Sequence, residues 1–130
     1  MLACALGLRQ PKLDAAARAF FREAQPWAFI LFREACLSRA QVRALCAELR
    51  EAVGREALVW IDQEGGRVAR LKPPEWPQWP PCARYGEIYA RDPEAGLAAA
   101  RLGHRLIAHE LRAIGIDARK LHDFGIGTYI

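Results

Sequence analysis

The sequence predicts an α/β fold built on a parallel sheet. Two observations carry this. Short apolar runs recur at residues 2–8, 28–32 and 57–61, and helical patterns separate them. Strand, helix, strand, helix, strand is the βαβ rhythm, in which helices cover a mostly parallel sheet. With 130 residues, 52% of them apolar and 26% charged, the chain fits one globular domain able to bury a core.

Leu2 to Leu8 reads as the first buried strand. Leu13-Asp14 opens a helix through Phe20, Phe21 and Ala24, with Asp14 as N-cap and Pro26 just past its end. Ala28 to Phe32 is wholly apolar, as expected of a strand covered on both faces. Ser38 starts a second helix with a capping box, since Gln41 follows three residues on. Val42, Leu45, Cys46, Leu49 and Val53 recur at helical spacing, and Gly54 supplies the stop. Ala57 to Ile61 repeats the buried-strand pattern.

The rhythm then breaks. Lys72 to Pro81 holds five prolines and two tryptophans, so too many N–H donors are missing for a central strand or a helix interior. The sequence predicts a rigid loop that packs Trp76 and Trp79 on its own domain, in preference to a Pro-rich ligand for a partner. Asp92-Pro93-Glu94 caps a long helix with Gly103, Ile107, Leu111 and Ile114 as its buried stripe, ended by Gly115.

Composition argues against several roles. The formal net charge is +4, but the basic residues are scattered and make no clustered face for nucleic acid. Cys4, Cys36, Cys46 and Cys82 form no close pair, so neither a zinc site nor a redox motif is expected. No stretch is apolar enough to span a bilayer, and the first residues lack the basic region of a signal peptide. The expected setting is the reducing cytoplasm, with no cofactor, metal or membrane partner.

The chemistry concentrates in Asp62-Gln63-Glu64-Gly65-Gly66-Arg67-Val68-Ala69-Arg70-Leu71, which begins where the third strand should end. Ligands in parallel α/β sheets gather at the carboxyl ends of strands, where backbone groups and loops converge. A carboxylate there accepts short, strong hydrogen bonds from hydroxyl donors. Gly65-Gly66 permits a tight turn and close approach, and Arg67 and Arg70 bring guanidinium groups to the same opening. The physics points to a polar-ligand site. The plainer alternative is a tight turn with Asp62 and Arg70 in a structural ion pair.

This segment is similar to a signature of the β-N-acetylhexosaminidase branch of the bacterial family 3 glycoside hydrolases. Trp27 to Phe32 resembles that family's second strand, the Pro/Trp-rich stretch its following loop, and Glu110 to Asp117 the approach to its fourth strand. The resemblance implies the N-terminal three to four βα units of an incomplete (β/α)₈ barrel. It implies hydrolysis of terminal β-linked N-acetylglucosamine in the full-length parent, in the recycling of cell-wall fragments. Asp62 would then bind hydroxyls of the terminal sugar, and Arg70 would shape that subsite.

The departures set the remaining expectations. Arg33-Glu34-Ala35 stands where the family commonly has Arg-Asn. Residues 1–117 are expected to form the N-terminal half of the barrel domain, and residues 118–130 a divergent tail. The family's Lys-His segment, acid/base His and Asp nucleophile have no counterparts, so the chain alone is expected to be inactive. Cutting a barrel also leaves free sheet edges, which predicts self-association.

Other chemistries fit the sequence less well. A retaining pair needs carboxyl groups about 5–5.5 Å apart, and Glu64 is expected to turn inward or to meet an arginine. His104 and His109, with Glu110, are five apart and read as ordinary helix histidines rather than an H-E-x-x-H site. His122-Asp123 has no nucleophile nearby. A non-catalytic sugar-binding module is the runner-up. A nucleotide-binding domain using Gly65-Gly66 is weaker, because no glycine-rich phosphate motif follows any strand.

Overall fold

The computed structural model describes residues 2–120. In chain order the elements are β1 (Leu2–Leu8), α1 (Ala15–Ala24), β2 (Pro26–Leu31), a 3₁₀ turn (Arg33–Ala35) and α2 (Arg39–Val53). They continue as β3 (Leu58–Gly65), β4 (Val68–Ala69), α3 (Ala83–Tyr89), α4 (Pro93–Ala113) and β5 (Ala118–Lys120). The α/β class and the parallel sheet are as expected: β1, β2, β3 and β5 lie side by side, every pair parallel.

The caps explain where the helices begin and end. Asp14 accepts from the Ala17 amide, Ser38 from Gln41 and Asp92 from Ala95, each satisfying a donor with no partner inside the helix. Gln41 completes its box one residue early, its side-chain oxygen accepting from the Leu37 amide rather than from Ser38. α2 stops at Gly54, whose φ of 67° is left-handed.

The two faces of the sheet differ. Phe29 lies beside Val59, and Leu31 beside Ile61, in a set that is fully buried. Helices cover this face. Phe21 of α1 packs edge-on against Phe29 at 5.1 Å, and Val42, Leu45, Cys46 and Leu49 of α2 join Ile107 and Leu111 of α4 in the same core. Each such side chain contributes about 1.5–3 kcal/mol by leaving water. On the alternate positions Ile30 lies beside Trp60, and both are only half-buried. Trp27 meets Trp60 edge-on at 5.4 Å and stays 43% exposed.

Asp117 fixes the last strand to the third. Its carboxylate Oδ2 accepts from the Val59 amide and from Arg50 Nη2, both at 2.8 Å, and its own amide donates to the Val59 carbonyl. β5 then runs in register with Trp60, Ile61 and Asp62. Residues 118–120, the start of the segment expected to diverge, thus form a strand of the sheet; His122-Asp123 and the rest of that segment lie outside the described residues. The Pro/Trp-rich loop packs inward as expected, with Trp76 buried and Trp79 against the core.

No helix of the described residues is long and apolar enough to cross a membrane. Among them there is also no cluster of three or more potential metal ligands.

Candidate functional site

Asp62 sits at the carboxyl end of the parallel part of β3, opposite Lys120 of β5. β3 does not end there, as the apolar run had suggested. It continues to Gly65 because Gln63 and Gly65 pair back, antiparallel, with Ala69 and Val68 of β4. The glycine turn makes that ribbon possible. Gly65 and Gly66 have φ of 98° and 57°, and a Cβ on Gly65 would collide with the Pro80 carbonyl oxygen. The Gly66 amide donates to the Trp79 carbonyl, which fastens the turn to the Pro/Trp-rich loop.

The ribbon returns Arg70 to Asp62. Arg70 Nη2 donates to Asp62 Oδ2 at 2.7 Å, and the two side chains are 31% and 14% exposed. The second carboxylate oxygen, Oδ1, carries no hydrogen bond among the described residues. An ion pair and an open acceptor therefore coexist on one carboxylate. The arginine holds the group in place, and the unbonded oxygen can accept from a hydroxyl.

Gln63 makes this arrangement rigid, and its part is not evident from sequence. Its buried side-chain oxygen accepts from the amides of both Arg70 and Leu71, each at 3.0 Å, and its Nε2 donates to the Leu71 carbonyl at 3.1 Å. Its adjacency to Asp62 in the motif was the one available hint.

Glu64 turns inward, as expected, and is 1% exposed. Its negative charge supports the half-buried Arg119 of β5, whose guanidinium burial pushes below the ordinary arginine value. Arg67, expected near the opening, is exposed and makes no ion pair among the described residues. His109 is exposed and His104 half-buried, on α4.

Glu34 follows β2 on the 3₁₀ turn and pairs with Arg9, beyond β1, at 2.8 Å. Its carboxyl is held below the ordinary value, first by a backbone hydrogen bond, then by Arg9 and more weakly by Arg70. Arg9 lies over the Phe32 ring at 4.4 Å. The carboxyl ends of β1, β2 and β3 thus carry charged groups of both signs around one rim.

Known proteins resemble this chain in sequence and in fold. Over 112 residues the chain is 39% identical to a β-hexosaminidase of Xanthomonas axonopodis pv. citri, which covers 86% of this chain and 33% of that protein. The chain is thus similar to part of proteins named β-hexosaminidase, and at 47% identity over 88 residues to that of Xylella fastidiosa, of which it covers 26%. NagZ of Neisseria gonorrhoeae superposes with a TM-score of 0.87 at 26% identity, over 95% of this chain and 38% of that one. NagZ has also been solved in complex with N-trifluoroacetyl-D-glucosamine. A family 3 β-N-acetylglucosaminidase from Paenibacillus sp. str. FPU-7 superposes with a TM-score of 0.77 at 30% identity, over 91% and 22%. No family model matches the chain. The chain spans about a third of the length of the curated relatives it matches.

Proposed function

We propose that this chain forms one wall of the terminal-sugar subsite of a β-N-acetylhexosaminidase. Asp62 accepts hydroxyl hydrogens of a terminal β-linked N-acetylglucosamine, and Arg70 holds that carboxylate and shapes the subsite. The observation that carries this reading is the Asp62 carboxylate at the end of β3, pinned through one oxygen by Arg70 and open at the other. That NagZ is known with an N-acetylglucosamine analogue supports the substrate class. Residues 1–117 are read as the first part of a (β/α)₈ barrel, and residues 118–130 as a divergent continuation. The exposure of Trp27 on the sheet (43%) supports this, since the inside of a barrel is filled by its other strands. We place the full-length protein in the cytoplasm, where it would recycle cell-wall fragments.

Hydrolysis with retention needs two carboxyl groups flanking one bond. Glu64 is buried beneath the ribbon rather than beside Asp62. The 130 residues alone are therefore read as binding sugar without cleaving it. This is also what favours the second reading, a sugar-binding module that has lost hydrolysis.

The test is a fluorine NMR titration of N-trifluoroacetyl-D-glucosamine with the chain, beside the variant Asp62→Ala. Broadening by the wild type and its loss in the variant are expected. Equal broadening by both proteins would refute the assignment of Asp62, and binding of ATP in place of the sugar would favour the nucleotide reading.

A further inference from the structure

We propose that Arg119 is a positioning residue for this sugar subsite, tying the backbone beside Asp62 to helix α4 through His104. The inference rests on the sugar-binding reading above and adds how the subsite is held. Arg119 lies in register with Ile61, one position before the Asp62–Lys120 pair. Its side chain reaches forward along β3, and Nη1 donates to the Gln63 carbonyl at 2.7 Å. Nη2 meets His104 Nδ1 on α4. The peptide that follows Gln63 is thereby anchored to a helix more than forty residues away in sequence.

The chemistry of the two groups fixes their roles. A guanidinium has only donors, so His104 Nδ1 must accept, which requires a neutral ring carrying its proton on Nε2. Protonating that ring would set two cations against each other and release Arg119 from the helix. Among the described residues, three groups around them stand out. Tyr85 of α3 packs against His104 with ring centroids 5.7 Å apart, while Cys82 and Glu64, with Tyr85, act electrostatically on Arg119.

Binding of N-trifluoroacetyl-D-glucosamine at pH 5 and pH 8, with amide hydrogen exchange of residues 63–70, tests the proposal in the full chain. Arg119→Ala should weaken sugar binding about tenfold at pH 8 and by less at pH 5, where the wild type has already lost the His104 link, and should reduce amide protection in the ribbon at pH 8 by about the same factor. Arg119→Lys keeps the charge but not the fork, and should fall between. Wild type should bind more weakly at pH 5, whereas His104→Gln, which retains an acceptor but cannot titrate, should lose that dependence. A purely structural role would leave the His104→Gln pH profile like wild type, and that result overturns the proposal. If the wild type binds no sugar at either pH, the sugar reading fails and hydrogen exchange alone decides. Ribbon protection unchanged in Arg119→Ala and Arg119→Lys would then overturn the positioning role.

Discussion

Arg70 grips one oxygen of the Asp62 carboxylate at 2.7 Å and leaves the other without a hydrogen bond among the described residues. The two halves of that relationship separate on mutation. Arg70→Lys keeps a positive charge but loses the planar fork. It should weaken N-acetylglucosamine binding by about tenfold while lowering stability by less than about 1 kcal/mol, since the pair is partly screened. Asp62→Asn should abolish binding and cost little more in stability. Calorimetric titration and urea melts of the two variants check both.

Gln63 predicts the opposite balance. Its side chain bonds three backbone groups of Arg70 and Leu71 from a buried position, so Gln63→Ala removes that partner from the Leu71 amide and carbonyl and leaves the Arg70 amide only its bond to the Asp62 carbonyl. A loss of about 2–4 kcal/mol is expected. Gln63→Glu should not restore it, because a carboxylate cannot donate to the Leu71 carbonyl. Chemical denaturation of both variants decides.

Gly65→Ala should be destabilising for a steric reason alone. The residue has φ of 98°, and the new Cβ would meet the Pro80 carbonyl. A cost of about 1–3 kcal/mol is expected, whereas Gly86→Ala, which meets open space within α3, should be neutral or stabilising. Thermal melts of the pair provide an internal control.

Much of this arrangement was legible because local rules and tertiary packing agree. The caps at Asp14, Ser38 and Asp92 and the apolar stripes of α2 and α4 are written in the sequence and fold as written. Two elements were not. α3 has no buried residue and hence no apolar periodicity to read, and β4 is two residues long and exists only because the glycine turn folds it onto β3. The Gln63 and Arg119 contacts join groups whose meeting depends on strand register. No local pattern encodes them.

Burial of the cysteines gives a pH dependence. Desolvation pushes the Cys36 and Cys46 thiols up from 9.0 to about 12. A raised folded-state value means the unfolded chain loses its protons first as pH rises. Stability from this source is therefore complete below pH 9 and is lost between about 9 and 12. Urea midpoints should fall across that range, and less steeply in Cys46→Ala. Both thiols should resist aromatic disulfide reagents until the chain unfolds.

The outer edges of β1 and β5 have no strand partner among the described residues, and Trp27 on the sheet is 43% exposed. Free edges and an apolar face promote association. The 130-residue chain, of 14.6 kDa, should therefore elute above its monomer mass by light scattering, and a sharp monomer peak would show that the sheet is covered in solution.

The most direct test of the proposed subsite is an amide chemical-shift titration of the chain with N-acetylglucosamine. The largest shifts should fall on Asp62, Gln63 and Arg70 and vanish in Asp62→Ala. Shifts absent throughout, or concentrated between α3 and α4 around Tyr89 and Leu97, would contradict the placement of the sugar at the end of β3.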